Sequence, residues 1–587
     1  MKKLFTICFI LFASLATNAQ YGQRIFYQST QPFTRETLND GIYSTLNLSG
    51  ALPTYAGCGR LDSIGMPRSR FVRTGSAGTS LNNRVYKIYG SGSELPNFMN
   101  SICENTNQYV MAGGLYGNGA YPVPGQGDVL ILRTNGTGTL LSANHIDING
   151  GQDEAACVER SIFQPGRFLI CGFTHVGATT KAFIMKTNSN GSTIYWTRYY
   201  DLLCASGAPS HTFATSLIQD PTSGNIFVVG YTTDFSGGGC ENGFISKFNN
   251  AGTHIYTRIY SDANINGLHF NSIKAVASSP GNYIIGGDYM VSNTSGGFDL
   301  QPYFMTVNLA GAAPVVGLTQ ILYPSTLPGA INHASGEDVT SRLNPNTSLF
   351  EYFITGRIQN FGAGTDGYIA KMGQTGNVMA IQKYGNLGKD GFHAIDAVGN
   401  GSGVRDGLTA FGEYEDITNT NLPQGCWWAK PYYNLLSGCF DSTILCFQAI
   451  ITVNSVPFTP TIGTTASTTP LTFSMLNCIT KKLCMANSIA GGSNLRFNED
   501  MEGESIRLFP NPVNQSEAIT LQVNAVNDET VSVDMYDIKG SLVNSLSVDC
   551  EEGINTFTLN ALNLPSGIYT VRVSTANKVM HEKIVIQ

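Results

Sequence analysis

Charged side chains are scarce: Asp, Glu, Lys and Arg make up 13% of the 587 residues, 34 basic against 41 acidic. No basic cluster interrupts the chain, which argues against nucleic acid or an anionic membrane as a partner. Beyond the first residues no stretch approaches the roughly 18 to 20 apolar residues of a membrane helix, so no membrane-spanning segment is expected and the mature chain is expected to be soluble. Helical periodicity is nearly missing. So are a His-Glu-x-x-His helix, a Gly-x-Ser-x-Gly elbow and a phosphate loop. The cysteines show no Cys-x-x-Cys spacing, and no histidine lies near enough in sequence to complete a compact zinc set. No catalytic residue, cofactor or metal is therefore assigned.

The N-terminus is a secretory pattern. Lys2 and Lys3 precede an apolar run from Leu4 to Leu15 and the small residues Ala16-Thr17-Asn18-Ala19, which places cleavage between Ala19 and Gln20. Loss of residues 1–19 removes two lysines and takes the formal charge from -7 to -9. It also removes Cys8, leaving twelve of thirteen cysteines. An even number in an oxidising compartment makes disulfides plausible. The short-range candidates are Cys204 with Cys240, Cys426 with Cys439, and Cys478 with Cys484, though connectivity is open.

With 65 glycines and recurrent Thr, Val, Ile, Tyr and Phe, the composition favours many strands and tight turns. An apolar strand ending in glycine recurs six times: Tyr109–Gly113, Phe168–Gly172, Phe227–Gly230, Tyr283–Gly286, Tyr352–Gly356 and Leu408–Gly412, roughly 57 to 70 residues apart. Each is followed by a second strand, closed in five repeats by Arg133, Lys186, Lys247, Lys371 or Lys430. Then comes a turn such as Asn188-Ser189-Asn190-Gly191 and a third strand such as Ile194–Tyr200. With the apolar stretch ahead of each glycine strand, every repeat holds about four strands. A sheet apolar on both faces must stand between neighbours, so six such sheets predict a closed ring. The strand Arg84–Gly90 has no repeat before it, and the last repeat lacks a closing strand. The expectation is that Arg84–Gly90 completes the last blade beside Trp428, with residues 20–80 as a degenerate seventh blade in the alternative count.

The repeats resemble the propeller repeats of secreted proteins from bacteria with type IX secretion, whose pattern is a glycine-ended strand, an aromatic-x-x-lysine strand, an asparagine-glycine turn and a tryptophan-x-lysine-x-tyrosine strand. Lys181–Gly191 running into Trp196-Thr197-Arg198-Tyr199 is the nearest copy, and the resemblance spans roughly residues 84–440. Thr306 stands where the pattern has lysine.

Past the repeats, Thr452 to Ser474 is rich in Thr, Pro and Ser, and 485–505 in Gly, Asn, Asp and Glu. Both read as connecting material. Short alternating runs from Ile506 onward suggest a small β-sandwich. Leu508-Phe509-Pro510-Asn511-Pro512, Tyr536-Asp537-Ile538-Lys539-Gly540 and Leu564-Pro565-Ser566-Gly567-Ile568-Tyr569 resemble, in order and spacing, the type A sorting domain of type IX secretion cargo. That resemblance implies export through the type IX translocon, removal of the module by a surface peptidase, and release or attachment at the outer surface.

The expected layout is all-β: signal peptide 1–19, N-terminal segment 20–83, a six-bladed or alternatively seven-bladed β-propeller at 84–445, a connecting region 446–505, and a C-terminal immunoglobulin-like sandwich at 506–587. Four histidines, His211, His269, His333 and His393, fall at similar places in the repeat. They either ring the channel as ligands or hydrogen-bond neighbouring loops. The repeated basic residues either bind an anionic glycan or pack on a neighbour, and Trp427 and Trp428 must point to opposite sheet faces. Asp153-Glu154, Glu337-Asp338 and Glu413-Tyr414-Glu415 are the acidic clusters that glycoside hydrolysis would draw on. The leading reading is a non-enzymatic binding or adhesion protein contacting an extracellular glycan or protein through blade loops, with an extracellular hydrolase and a structural surface component as alternatives.

Overall fold

The computed structural model describes the chain between Tyr21 and Ile586, except for 487–504 and shorter segments between strands, the longest being 45–53, 118–126, 399–406 and 416–423. The signal segment with Ala19 and Gln20 lies outside the described residues. Among the described residues regular structure is entirely β, and the chain divides into a unit ending at Ser488 and a unit starting at Ile489.

The described residues of the first unit form seven sheets, each an antiparallel meander laid down in chain order. Sheet 1 is built from 35–90, sheet 2 from 97–147, sheet 3 from 153–200, sheet 4 from 210–262, sheet 5 from 268–325, sheet 6 from 338–384 and sheet 7 from 391–430. Each gap between consecutive sheets holds one apolar cluster drawn from both neighbours. The seventh cluster joins the last sheet to the first, packing Phe411 and Trp428 with Leu38, Tyr55 and Val72. The arrangement is propeller-like and closes on itself.

Two expectations change here. The sheets number seven and not six, because residues 35–90 form one of their own. Its pattern was hard to read because its interior carries ions: Arg70 and Glu36 face each other at 3.1 Å, both 0% exposed. Arg84–Gly90 does not finish the last sheet either. It pairs within sheet 1, Arg70 opposite Val85. An N-terminal strand does close sheet 7, but it is Tyr21–Tyr27, antiparallel to Gln424–Lys430 with Arg24 opposite Trp428.

The recurrent glycine answers to a bulge. In six of the seven sheets the innermost strand slips register by one residue, for example between Met99 and Ser101 or between Ala155 and Cys157. The displaced carbonyl then lies over the second strand, where a Cβ on Gly59, Gly113, Gly172, Gly230, Gly287 or Gly412 would fall only 1.8 to 2.1 Å from it. In sheet 6, which has no slip, a Cβ on Gly356 would meet Ser335 O just ahead of the innermost strand at 2.0 Å. Gly287, not Gly286, takes this position in sheet 5, and Gly59 takes it in sheet 1, which lies outside the six repeats.

Polar side chains stitch sheet to sheet beside these bulges. Asp40 accepts from Ile102 N and Ser101 Oγ, both at 2.9 Å; Ser101 Oγ accepts from Val158 N at 3.1 Å; Asp338 accepts from Ile395 N at 2.9 Å; and Asp396 accepts from Tyr43 N at 3.4 Å. The last contact crosses from sheet 7 to sheet 1.

The segment read as a linker is a belt. Asp441–Thr443 pairs with the outer strand of sheet 6, Leu445–Ile450 with sheet 5, Val453–Phe458 with sheet 4, Ile462–Gly463 with sheet 3, Ser467–Pro470 with sheet 2 and Thr472–Asn477 with sheet 1. Ile479–Ala486 then pairs with Tyr21–Tyr27. The chain thus circles the unit against the order of the sheets, adding a fifth, outermost strand to each. An edge strand needs its backbone donors on one side only, so it tolerates the prolines and small polar residues that made the segment resemble a linker.

The second unit has two antiparallel sheets, one of Ser505–Phe509, Ala518–Ala525 and Gly553–Asn560, the other of Leu542–Cys550, Glu529–Tyr536, Gly567–Ser574 and Val579–Ile586. They share one core containing Ile519, Leu521, Val533, Val571 and Ile584.

Replacing Gly59 or Gly172 by alanine should lower unfolding free energy by about 1–3 kcal/mol, since the carbonyl in the way is backbone and cannot swing aside. Chemical denaturation of the two variants measures this, and a neutral Gly59→Ala would show that sheet 1 lacks the close approach.

Candidate functional site

Bulged residues of four innermost strands reach across to the next sheet. Asn39 Nδ2 donates to Met99 O at 2.9 Å, Asn100 Nδ2 to Ala155 O at 2.9 Å, Thr215 Oγ1 to Phe270 O at 2.6 Å, and Asn271 Nδ2 to Gly336 O at 2.9 Å. Each donor thus caps a carbonyl of the next sheet. A pocket of about 320 Å³ opens among sheets 1, 2, 3, 6 and 7, where Asn39, Asn100, Arg60, Glu154, Arg357 and Glu413 converge. Phe98, Tyr116 and His393 also line it, with the two rings of Phe98 and Tyr116 stacked at 5.6 Å and Arg60 placed over Phe98.

The charges in the pocket are held by partners. Glu154 takes Asn100 Nδ2 at 2.9 Å and Tyr116 OH at 3.3 Å, and burial pushes its carboxyl above the usual range. Arg357 lies between Glu413 at 3.3 Å and Glu337 at 3.6 Å. Deeper in the ring one lysine meets four acids: burial works against the Lys274 charge, yet Asp338, Asp40, Glu159 and Asp396 together hold its pKa above the ordinary value. Burial raises Glu159 to about 7. Burial, followed by the Glu337 charge, raises Asp288 to about 6.

The sequence-derived candidates divide accordingly. The four histidines occupy separate contacts between strands and sheets: His211 Nδ1 accepts from Thr180 N at 3.1 Å, His333 Nδ1 from Leu300 N at 3.2 Å, His269 lies 2.8 Å from Glu241, and His393 lies 3.9 Å from Glu413. Of the four, only His393 lines this pocket. The basic residues also clamp neighbours. Lys186 donates to Asn250 O at 2.6 Å, Lys247 to Gly311 O at 3.2 Å and Lys371 to Tyr433 O at 3.2 Å, each on the next sheet's side. Lys430 sits 5.3 Å from the Tyr55 ring of sheet 1. Trp427 and Trp428 are both 0% exposed and face opposite clusters, the first stacked on Phe392 and the second against Tyr55.

Among the acidic clusters, Glu154 and Glu413 reach the same pocket while Asp338 is buried near Lys274. Arg60, Asn39, Asn100, Phe98 and Arg357 escaped the sequence reading. A signal was present: Asn39-Asp40, Asn100-Ser101, Thr215-Ser216 and Asn271-Ser272 repeat an amide or hydroxyl followed by an acceptor at sheet spacing. Cys204, Cys240, Cys439 and Cys478 lie outside the described residues. Cys426 is buried in the cluster between sheets 7 and 1, and the backbone of Cys484 pairs opposite Gln23 in the belt.

In the second unit, Pro510, Asn511 and Pro512 lie outside the described residues and Phe509 ends a strand. Asp537 and Gly540 form a tight turn, with Gly540 at φ 81 and its N–H donating to Asp537 O at 3.0 Å. Tyr569 OH donates to Pro565 O at 2.7 Å across the turn that contains Gly567.

Residues 507–587 match the family described as secretion system C-terminal sorting domain. This segment is a type IX sorting domain, which indicates export to the cell surface or the medium. No curated protein matches the chain. Similar solved structures include Sqt1 of Chaetomium thermophilum at 9% identity, covering 70% of this chain and 97% of that one with a TM-score of 0.34. A GH74 xyloglucanase from Xanthomonas campestris has 8% identity, coverage of 69% and 55%, and a TM-score of 0.35. PorZ, a surface component of the type IX secretion system of Porphyromonas gingivalis, has 9% identity, coverage of 94% and 81%, and a TM-score of 0.25. Among the described residues no helix is long and apolar enough to cross a membrane.

Glu154, Glu159 and Asp288, with Asp40, Asp153 and Asp396, have folded pKa values raised by burial, whereas burial lowers His175 and His254. Between roughly pH 4 and 7 the six acids outnumber the two opposing histidines, so the folded state binds more protons and loses stability as pH rises. Asp220 and Glu351, shifted down, matter only below that window. Thermal unfolding should therefore occur at a higher temperature at pH 5.5 than at pH 8, and the reverse order would remove the assignment of these acids to dry sites.

Proposed function

We propose that the chain is an exported, non-enzymatic binding protein in which a seven-bladed β-propeller, closed by Tyr21–Tyr27 and belted by 441–486, presents its axial pocket to an extracellular glycan. The C-terminal module, with an immunoglobulin-like sandwich fold, directs passage through the type IX translocon and is removed by the surface peptidase. One observation carries the binding reading: amides, guanidinium groups and carboxylates from five sheets meet beside an aromatic pair in a pocket about 320 Å³ in size. Planar donors and acceptors of this kind match sugar hydroxyls, and the aromatic edge suits the apolar face of a pyranose ring.

Hydrolysis is the second reading, favoured by Glu154 and Glu413 sharing that pocket, the first with a raised pKa as a general acid requires. Both Glu154 oxygens already accept hydrogen bonds, which supports a holding role over proton delivery.

Glycan-array binding by the full exported chain, followed by titration calorimetry of any hit, tests the proposal. Arg60→Ala and Glu413→Gln should each weaken binding about tenfold, the scale of one charge-assisted hydrogen bond. Turnover of a polysaccharide panel that Glu154→Gln abolishes would replace binding by hydrolysis. Deletion of 507–587 should leave the protein in the periplasm, as fractionation would show.

A further inference from the structure

The loop from the last meander strand of sheet 2, Leu140–Asp147, to the first strand of sheet 3, Asp153–Arg160, gathers carboxylates that the axial pocket does not use. Asp128, Asp147 and Asp153 bring one oxygen each to within 4.8 Å of one another. Asp153 is 2% exposed; one of its oxygens accepts from Ile148 N, and the other, Oδ1, is buried without a hydrogen-bond partner. The Thr174 hydroxyl lies beside that carboxylate and lowers its pKa, but it donates to Ile148 O at 3.2 Å. Burial, with the charges of Asp147 and Asp128, pushes Asp153 up to about 8. His145 is the one basic group paired with the trio among the described residues, and it faces Asp128.

The loop is held in place before any ligand arrives. Asn149 and Gly150 turn it with φ of 63 and 72, Gly150 N donates to Asp147 Oδ1 at 2.7 Å, and His175 N donates to Gln152 O at 2.8 Å. A Cβ at Gly151 would lie 1.8 Å from His175 O, so the loop rests directly on the second strand of sheet 3. Three converging acids, one with an idle buried oxygen, two flanking a fixed loop and the third on the strand Gly127–Asn135 of sheet 2, are the donor set of a hard divalent cation. Calcium tolerates such an irregular oxygen cage and completes it with carbonyls and water, whereas magnesium requires octahedral order.

We propose that Asp128, Asp147 and Asp153 form a calcium site that fixes the junction of sheets 2 and 3. The site stands apart from the glycan reading, because its test needs no glycan. Calorimetric titration of the chelator-treated full chain with calcium chloride should show one ion per chain, with Kd on the order of 10⁻⁴ to 10⁻³ M as in extracellular modules, and weaker binding of magnesium chloride. Asp147→Asn and Asp128→Asn should each weaken calcium at least about tenfold, while Arg60→Ala leaves it unchanged. Thermal unfolding should shift upward with calcium in the parent and not in Asp147→Asn. Absence of binding up to 10-fold above about 10⁻³ M, unchanged affinity in both aspartate variants, or equal affinity for magnesium would each overturn the assignment.

Discussion

A sheet with apolar side chains on both faces has no stable position except between two others, and in this protein that constraint leaves no sheet at an end. Seven inter-sheet clusters exist because the seventh unites Phe411 and Trp428 with Leu38, Tyr55 and Val72. Circular burial carries the cost of closure at one seam. There the Tyr21–Tyr27 strand ties the two ends of the chain's first unit by main-chain pairing, and Asp396 reaches from sheet 7 to Tyr43 N.

Closed packing also explains where the polar side chains go. Sheets that converge on an axis crowd their innermost strands, so a bulge in six of the seven relieves the crowding and swings a carbonyl over a neighbouring glycine. The freed backbone groups are then met by Asn, Thr, Ser and Asp from the sheet alongside. Lys186 and Lys247 do the same for hairpin carbonyls away from the bulges, and Lys371 for Tyr433 O just past the strand Gln424–Lys430. Repetition of a polar residue in this fold therefore signals stitching between sheets. Arg60, Arg357 and Glu413, each next to the recurrent glycine of its sheet, meet instead in the pocket among sheets 1, 2, 3, 6 and 7.

The belt follows from the same geometry at the opposite edge. Each meander ends on an outer strand with unpaired donors and acceptors, a template for unwanted pairing. One continuous segment, 441–486, covers those edges in turn. It also links the end of the ring back to its beginning, since its last strand lies on Tyr21–Tyr27.

Strand periodicity, the glycine spacing, the opposed tryptophans and the sorting motifs are local facts, and they were legible because each depends on neighbours a few residues away. The repeat count was not, because sheet 1 replaces part of its apolar interior with the Arg70–Glu36 pair and carries its glycine in Gly57-Cys58-Gly59 without an apolar run before it. The belt was hidden since an outermost strand is paired along one side alone and asks little of composition. The pocket was hidden because Arg60, Asn100, Arg357 and Glu413 are far apart in the chain and meet only once the ring shuts. By itself the sequence determined that this is an exported all-β chain of two-faced sheets ending in a sorting module. Tertiary structure alone decided how many sheets complete the circle, which strand seals it and which polar groups meet in the pocket, since those depend on contacts between residues hundreds of positions apart.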